Sequence, residues 1–307
     1  MKIYIDPRII GKDNYEFIVN RFPQIQISSE TENSFESEVL IVMPDFFIKE
    51  DINRYKNLKW IQLLMAGYDN FDFSILQNKE VIVTNASDIF SKSIAEDVIT
   101  KILVLNRKVP FFLEEMKTGS WNPIKNIPEL TNSVVGILGT GSIGKEIAKR
   151  LKSFETKVIG YRRKDALVQY FDEIYSGETG LEYVLKNSDY VVIALPLTKN
   201  TINLINSKTL SLMKENALLI NVARGKIVDQ DALTEVLINK KIRGAGLDVT
   251  IPEPLPKSHP LWTLDNTFIT PHNASSSPYM RTRITNLILQ NIELYLLKKP
   301  VLFQVKE

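Results

Sequence analysis

The 307-residue sequence has no cysteine. That excludes disulfides, a thiolate zinc site and a cysteine nucleophile, and it fits a reducing cytosol. Histidine occurs only twice, so a general acid or base of the usual type must be His259 or His272. Charge of one sign is also missing. The 38 basic and 36 acidic residues leave a net charge of +2 with only short basic runs, so no global field favours nucleic acid or a membrane surface. Long apolar runs are absent as well: the opening MKIYIDPRII carries only a three-residue apolar patch, Ile3 to Ile5, before Asp6, too short for a signal peptide, and no later run approaches a membrane span. There is no internal repeat or low-complexity segment. What remains is a cytoplasmic chain, 44% hydrophobic, long enough for two domains of ordinary size, with no metal site expected.

The rest is organised around VVGILGTGSIGKEIAKRL, residues 134–151. Val134, Val135, Ile137 and Leu138 form the short apolar run of a strand buried on both faces, and Gly139, Gly141 and Gly144 follow with the spacing G-x-G-x-x-G. A helix then begins, with Ile143, Ile147, Ala148 and Leu151 on one face and Lys145, Glu146, Lys149 and Arg150 on the other. Gly139 allows the turn, Gly141 lets backbone approach a pyrophosphate, and Gly144 lets helix and strand pack closely. Free N–H groups at the helix start would hold the phosphates. A glycine-rich turn is the plain alternative; the buried strand before and the amphipathic helix after favour a dinucleotide.

Lys157 to Tyr161 reads as the next strand. A fold that grips the ribose diol of NAD usually ends this strand in Asp or Glu, but here Tyr161 stands there, followed by Arg162, Arg163 and Lys164. A carboxylate would repel a 2′-phosphate, whereas guanidinium groups bind it with paired, charge-assisted hydrogen bonds. NADP(H) is favoured and NAD(H) possible. A solvated basic corner is the alternative, with Asp165 within reach of the ribose.

Short apolar runs at KIYI (2), EVLIVM (38), WIQLL (60) and VIVTN (81) alternate with polar or amphipathic stretches, the pattern of a small parallel α/β unit. A long helical segment follows from about Ser93 to Lys117, broken near Pro110. Further runs at YVVIAL (190), ALLINVA (217), GAGLDV (244) and TFITP (267), with helical segments between most of them, predict a doubly wound sheet. Tyr279 to Leu297 has helical spacing and is expected to pack back on the first domain. The expected division is a discontinuous substrate domain, 1–96 and 281–307, and a dinucleotide-binding domain, 97–280.

Ligands of such sheets sit beyond the carboxyl ends of the strands. Three charged segments arrive there: NVARGKIVD (221), LDVTIPEPLP (247) and FITPHNASSS (268). Arg224 stands at a tight strand exit before Gly225, and its fork suits a carboxylate; a structural arginine at a helix terminus is the alternative. His259 precedes Pro260 in a loop and reads as structural or exposed, whereas His272 follows a strand end. Glu253 lies between Pro252 and Pro254 in a stiff loop, where a carboxylate near an imidazole would orient it and favour its protonated form.

In these residues the sequence resembles the D-isomer-specific 2-hydroxyacid dehydrogenases, whose motifs VARGxIVD, DVxxxEPLP and PHxA carry Arg, Glu and His in this order. The resemblance extends through LLMAGYDNFD at 63, VTNASDIFSKSIAE at 83, the glycine motif and LPLTKNT at 195; only the residues before about 38 are nondescript. It implies a Rossmann-type doubly wound parallel sheet plus a smaller flavodoxin-like α/β domain. The implied chemistry is reduction of a small 2-keto acid to the D-2-hydroxy acid by hydride transfer from a nicotinamide cofactor. Glyoxylate and hydroxypyruvate reductases are the nearest comparison. By the same resemblance, Arg224 binds the substrate carboxylate and polarises its carbonyl, His272 exchanges the proton and Glu253 tunes His272. Backbone N–H groups of Met65, Ala66 and Gly67 hold the substrate carboxylate, and Asp248 meets the nicotinamide carboxamide. The implied cofactor contacts further include Ser93, Thr140, Ser142, Ile143, Leu195, Pro196, Thr201, Val222, Ala223 and His272, besides the three glycines and Arg162 and Arg163. Phe46, Met65 and Tyr68 are candidates to line the pocket. Domain closure and homodimerisation are expected too, the latter also from apolar positions in 93–117.

Three departures from the family pattern stand out: Tyr161 for an acidic residue, and Glu155 and Asn203 where relatives often carry glycine. Two other classes share the scaffold. One is a nucleotide-sensing, corepressor-like interaction protein; the other is a formate- or phosphite-type dehydrogenase.

Overall fold

A computed structural model describes residues 1–48, 51–76, 79–164 and 166–305. The chain divides into two compact units, Met1–Phe90 with Ser277–Glu307, and Ser91–Ser276. These divisions lie four to six residues from those expected at 96/97 and 280/281.

The first unit holds β1 (Lys2–Ile5), α1 (Pro7–Ile10), α2 (Lys12–Arg21), β2 (Gln26–Ser28), β3 (Val39–Val42), β4 (Trp60–Leu63) and β5 (Ile82–Thr84). All pairings are parallel, in the order β2-β1-β3-β4-β5, a flavodoxin-like arrangement. Every residue of β3 and β4 is buried, which is why these strands read as apolar runs, interrupted only by Gln62 in β4. The C-terminal helix, Met280–Leu296, belongs to this unit and meets α1 and α2. Its fully buried Asn291 donates to Gln62 Oε1 at 2.8 Å and accepts from Leu302 N at 2.7 Å. Gln62 Oε1 also accepts from Thr84, so a satisfied polar chain inside an apolar core pins the helix to β4.

The second unit opens with α3 (Ser91–Asn106) and α4 (Val109–Thr118). The break falls at Lys108, φ +57°, because the ring of Pro110 would otherwise meet the carbonyl of Asn106, four residues back. Then follow β6 (Val134–Leu138), α5 (Ser142–Leu151), β7 (Lys157–Tyr161), β8 (Glu173–Tyr175), α6 (Gly177–Asn187) and β9 (Tyr190–Ile193). The unit ends with α7 (Ser207–Leu210), β10 (Leu218–Asn221), α8 (Gln230–Ile238), β11 (Gly244–Leu247) and β12 (Thr267–Ile269). Seven parallel strands run β12-β11-β10-β9-β6-β7-β8, a Rossmann-type doubly wound sheet extended by one strand. Glu155 and Asn203, where glycine is common in relatives, have φ of +59° and +50°, the left-handed region that glycine enters without cost. Among the described residues no helix is long and apolar enough to cross a membrane.

Candidate active site

Strand register assembles the second unit's candidates. Leu138 pairs with Tyr161 and Ile193, Ile193 with Asn221, Asn221 with Leu247, and Leu247 with Ile269. Gly139, Ala194, Val222, Asp248 and Thr270 therefore each stand one residue beyond a common line, on the carboxyl edge of the sheet. The strand order reverses at β6, between β7 and β9, and open α/β sheets bind ligands at such a point.

The glycine loop is built against this edge. Gly139 has φ +107°, and a Cβ there would lie 2.4 Å from the carbonyl oxygen of Ala194, so neither the turn nor the approach of the β9 exit admits a side chain. At Gly144 a Cβ would fall 2.0 Å from the Gly139 oxygen, which is the close helix–strand contact expected from the spacing. Gly141 faces open space, with nothing within 4 Å of its missing Cβ. It precedes α5, whose first turn has no side-chain cap. Thr140 is 7% exposed and its Oγ1 has no partner among the described residues. A buried hydroxyl left so costs about 1–3 kcal/mol. An orphaned donor, an uncapped helix start and an open glycine together fit the pyrophosphate of a dinucleotide. Ser142 and Ile143 lie in that first turn, both half-buried.

Around this loop, Leu195 and Pro196 follow the β9 exit, and Thr201 closes their loop by donating to the Pro196 oxygen at 2.8 Å and accepting from Thr198 N at 2.7 Å. Tyr161 ends β7, its carbonyl accepting from Gly139 N at 2.9 Å, and burial pushes its phenol pKa up. Arg162 is half-buried and Arg163 exposed; neither guanidinium has an ion pair among the described residues. Asp165 lies outside the described residues.

The Arg, Glu and His segments converge through specific contacts. Val222 and Ala223 are buried at the β10 exit, and the fully buried Asn221 side chain accepts from Ala223 N and donates to the Arg224 carbonyl, both at 3.1 Å. Arg224 is thereby held at a defined exit, its Nη1 donating to the Ala223 carbonyl at 2.8 Å. Gly225 comes so close to the 248–253 segment that a Cβ would sit 2.4 Å from the Thr250 oxygen. In that segment Ile251–Pro252 and Glu253–Pro254 are both cis, and Glu253 Oε1 accepts from Thr250 N at 3.1 Å. Its other oxygen, Oε2, is 2.8 Å from His272 Nδ1, with side chains 39% and 45% exposed. A carboxylate only accepts, so Nδ1 bears a proton in this pair and Nε2 is the atom left to exchange one. His259 takes another role: Nδ1 accepts from Leu261 N at 3.3 Å, capping a single turn, Pro260–Trp262. Asp248 is 2% exposed; its Oδ1 accepts from Thr270 and Asn273 N and its Oδ2 from Ala274 N. One acceptor direction on Oδ2 is left for a carboxamide.

Sequence reasoning missed Asn221, Thr270 and Gln230. Gln230 opens α8 and grips the Glu253 loop from both sides, accepting from Ile251 N at 2.7 Å and donating to its carbonyl at 2.5 Å. Asn221 had a signal, a polar residue at the end of an apolar strand; Gln230 had none, since its partner is 21 residues away. Ser93 Oγ donates to the Ser275 carbonyl at 3.2 Å.

In the first unit, Met65, Ala66 and Gly67 follow β4. Asn85 and Ala86 bond the carbonyls of Ala66 and Met65 at 2.7 and 3.0 Å, while the three N–H groups donate to nothing among the described residues. Phe46 is half-buried among Tyr4, Phe47 and Tyr55, and Tyr68 meets Phe73 edge-on at 5.8 Å. Among the described residues no group of three or more acidic or histidine side chains is placed to hold a metal ion.

Fold and edge chemistry define a dinucleotide-binding dehydrogenase, and comparison with known proteins agrees. Residues 99–274 match the family described as D-isomer specific 2-hydroxyacid dehydrogenase, NAD binding domain. A glyoxylate reductase of Thermofilum pendens is 36% identical over 83% of this chain and 76% of its own. The glyoxylate reductase/hydroxypyruvate reductase of Homo sapiens is 35% identical over 81% and 77%. A crystal structure of a D-isomer specific 2-hydroxyacid dehydrogenase from Xanthobacter autotrophicus Py2, in complex with NADPH and MES, superposes with a TM-score of 0.83 at 30% identity, covering 99% of this chain and 97% of that one. The chain belongs to the D-isomer specific 2-hydroxyacid dehydrogenase family. As a member it is an NAD(P)-dependent oxidoreductase.

Proposed function

We propose that the chain reduces a small 2-keto acid, with glyoxylate and hydroxypyruvate the first candidates, to the 2-hydroxy acid, of D configuration where the carbon is chiral. The observation that carries this reading is the His272–Glu253 pair, Nδ1 to Oε2 at 2.8 Å, on the strand-end edge that also presents Arg224. Relatives named as glyoxylate and hydroxypyruvate reductases support the substrate class. NADPH is the preferred cofactor: the N–H groups opening α5 and the Thr140 hydroxyl hold its pyrophosphate, and Arg162 and Arg163 hold its 2′-phosphate, with NADH a weaker alternative. The NADPH complex of the Xanthobacter relative supports that preference.

When bound, the nicotinamide supplies the hydride. The protein's part follows from charge. As the carbonyl carbon is reduced, an alkoxide develops on oxygen; the Arg224 guanidinium stabilises it and the His272 Nε2–H quenches it by proton transfer. Glu253 keeps the imidazole in the orientation and protonation that this transfer needs. In the first unit, the N–H groups of Met65, Ala66 and Gly67, which donate to nothing among the described residues, are the candidates to take a carboxylate. The protein is a homodimer: Phe111, Leu113 and Met116 on α4 and Trp121 beyond it are exposed, Trp121 by 93%, an apolar surface that a second copy would cover.

The deciding experiment is steady-state oxidation of NADPH and of NADH against glyoxylate, hydroxypyruvate, pyruvate and bulkier 2-keto acids, with His272→Ala alongside. Turnover with a small 2-keto acid, faster with NADPH, and a loss of about a hundredfold or more in His272→Ala are expected. Near-normal turnover in a folded His272→Ala would remove His272 from the mechanism. No turnover with any acid, from protein that binds cofactor, would refute the reductase reading in favour of nucleotide sensing.

A further inference from the structure

The buried face of α3 carries a cation. Lys101 is 0% exposed, and its stem crosses β11 at Gly246, where a Cβ would lie 2.9 Å from the lysine Cβ, so the strand is bare where the lysine passes. Nζ donates to Asp97, one turn earlier, and to Thr270 Oγ1 at 2.7 Å, and Asp248 Oδ1 is 3.9 Å away. Thr270 accepts from the lysine and passes its own hydrogen to Asp248 Oδ1 at 2.5 Å. Asp248 then takes Asn273 N at 2.9 Å and Ala274 N at 3.0 Å, and its carbonyl takes His272 N at 2.8 Å. The residue so surrounded, His272, has φ +50°, a left-handed backbone uncommon for a residue other than glycine.

An ammonium in an apolar core is costly even when paired, and an apolar side chain would fill the same space without that cost. Its compensation is a directed chain of hydrogen bonds, from Nζ through Thr270 to Asp248 and on to the turn of residues 272–274. Removing the ammonium frees the Thr270 hydroxyl to rotate and takes away the cation 3.9 Å from Asp248 Oδ1, so the hold of both on the 272–274 turn loosens. We propose that Lys101 is a positioning residue for the reaction: through Thr270 and Asp248 it fixes the turn that aims the His272 imidazole. This rests on the reading of His272 as proton donor.

Two variants of the full chain test it. Asp97→Asn with Lys101→Met removes the ammonium together with one partner's charge, so the net charge of the Lys101, Asp97 and Asp248 cluster is unchanged, and Thr270→Val removes the hydroxyl while keeping the shape. Kinetics with NADPH and the best 2-keto acid should show kcat lowered about tenfold in each, with the KM for the acid changed less than about threefold. The combination should be no slower than the worse of the two, because both break one relay. A role in folding alone predicts a lower melting temperature with kcat intact. Parent kcat in both variants, losses confined to KM, or losses that multiply would overturn the proposal. If the pair variant does not fold, Thr270→Val alone decides by the same kcat criterion. His272→Ala at parent turnover would overturn the proton-donor reading and this proposal with it; His272→Ala inactive, with the other variants at parent kcat, would overturn this proposal alone.

Discussion

Glu253→Gln is the substitution that tests the proposed His272–Glu253 catalytic pair most cleanly, because it changes charge and hydrogen-bonding capacity at nearly constant size. Glu253 accepts two hydrogen bonds, one on each oxygen: Thr250 N at 3.1 Å on Oε1 and His272 Nδ1 at 2.8 Å on Oε2. A glutamine has only one oxygen. If it keeps Thr250, its NH2 group faces Nδ1, which must then accept; the imidazole loses its Nδ1 proton and with it the partner for the charged form. If it keeps His272, the Thr250 N–H is left facing a donor and the loop must shift. A hydrogen bond to a charged group contributes about 1.5–3 kcal/mol. With both side chains partly open to solvent the lower end applies, and about 1.4 kcal/mol is tenfold in rate. The loop itself should stay in place, since Gln230 grips Ile251 independently. Steady-state kinetics at saturating NADPH should therefore give a kcat about tenfold below the parent and a KM for NADPH within about twofold. A folded Glu253→Gln protein with the parent kcat would show that the carboxylate does not hold the imidazole during the reaction.

Arg162→Ala with Arg163→Ala should raise the KM for NADPH by about tenfold or more and leave NADH kinetics unchanged, because each guanidinium contact to a phosphate is a charge-assisted bond that NADH cannot form; an equal rise for both cofactors would sink the 2′-phosphate assignment. Gly225→Ala would place a Cβ 2.4 Å from the Thr250 oxygen, so the Arg224 and Glu253 loops must move apart. The cost is about 1–3 kcal/mol, seen as a melting temperature several degrees lower together with a reduced kcat, and no change in either would refute the contact. Met116→Lys with Trp121→Ser should convert a dimer to a monomer in light scattering, and a monomeric parent protein would refute the dimer outright.

Elements buried on both faces were readable because parallel strands covered by helices must be apolar at every position. β3 and β9 are such runs, β4 and β10 depart from them only at the buried Gln62 and Asn221, and each strand is buried throughout. β2 and β8 escaped. Each is a three-residue edge strand with no buried position, so neither hydrophobic run nor alternation marks it. The helix break expected near Pro110 falls just before it, at Lys108, because proline disturbs the turn that precedes it rather than its own position. Glu155 and Asn203 show the reverse lesson: an acidic residue and an asparagine occupy left-handed positions that a glycine would announce.

The candidate site was readable for a topological reason. A parallel strand ends abruptly, its side chains turn from apolar to polar within a few residues, and the register sets the strand ends side by side, so Asp248, one residue past β11, and Arg224 and His272, each three residues past β10 and β12, stand out after apolar runs. What supports them is invisible in this way, because support comes from partners far along the chain. Lys101 and Asp97 have the one local signal, opposite charges four apart on an otherwise apolar helix face, which would ordinarily read as a surface pair worth a few tenths of a kcal/mol. Burial inverts that reading. With Nζ fully enclosed and bonded to a threonine 169 residues away, the same spacing marks a charge held inside for what it orients. A cation on the apolar face of a helix next to a catalytic strand end is therefore better treated as part of the site's support until its removal is shown to leave kcat unchanged.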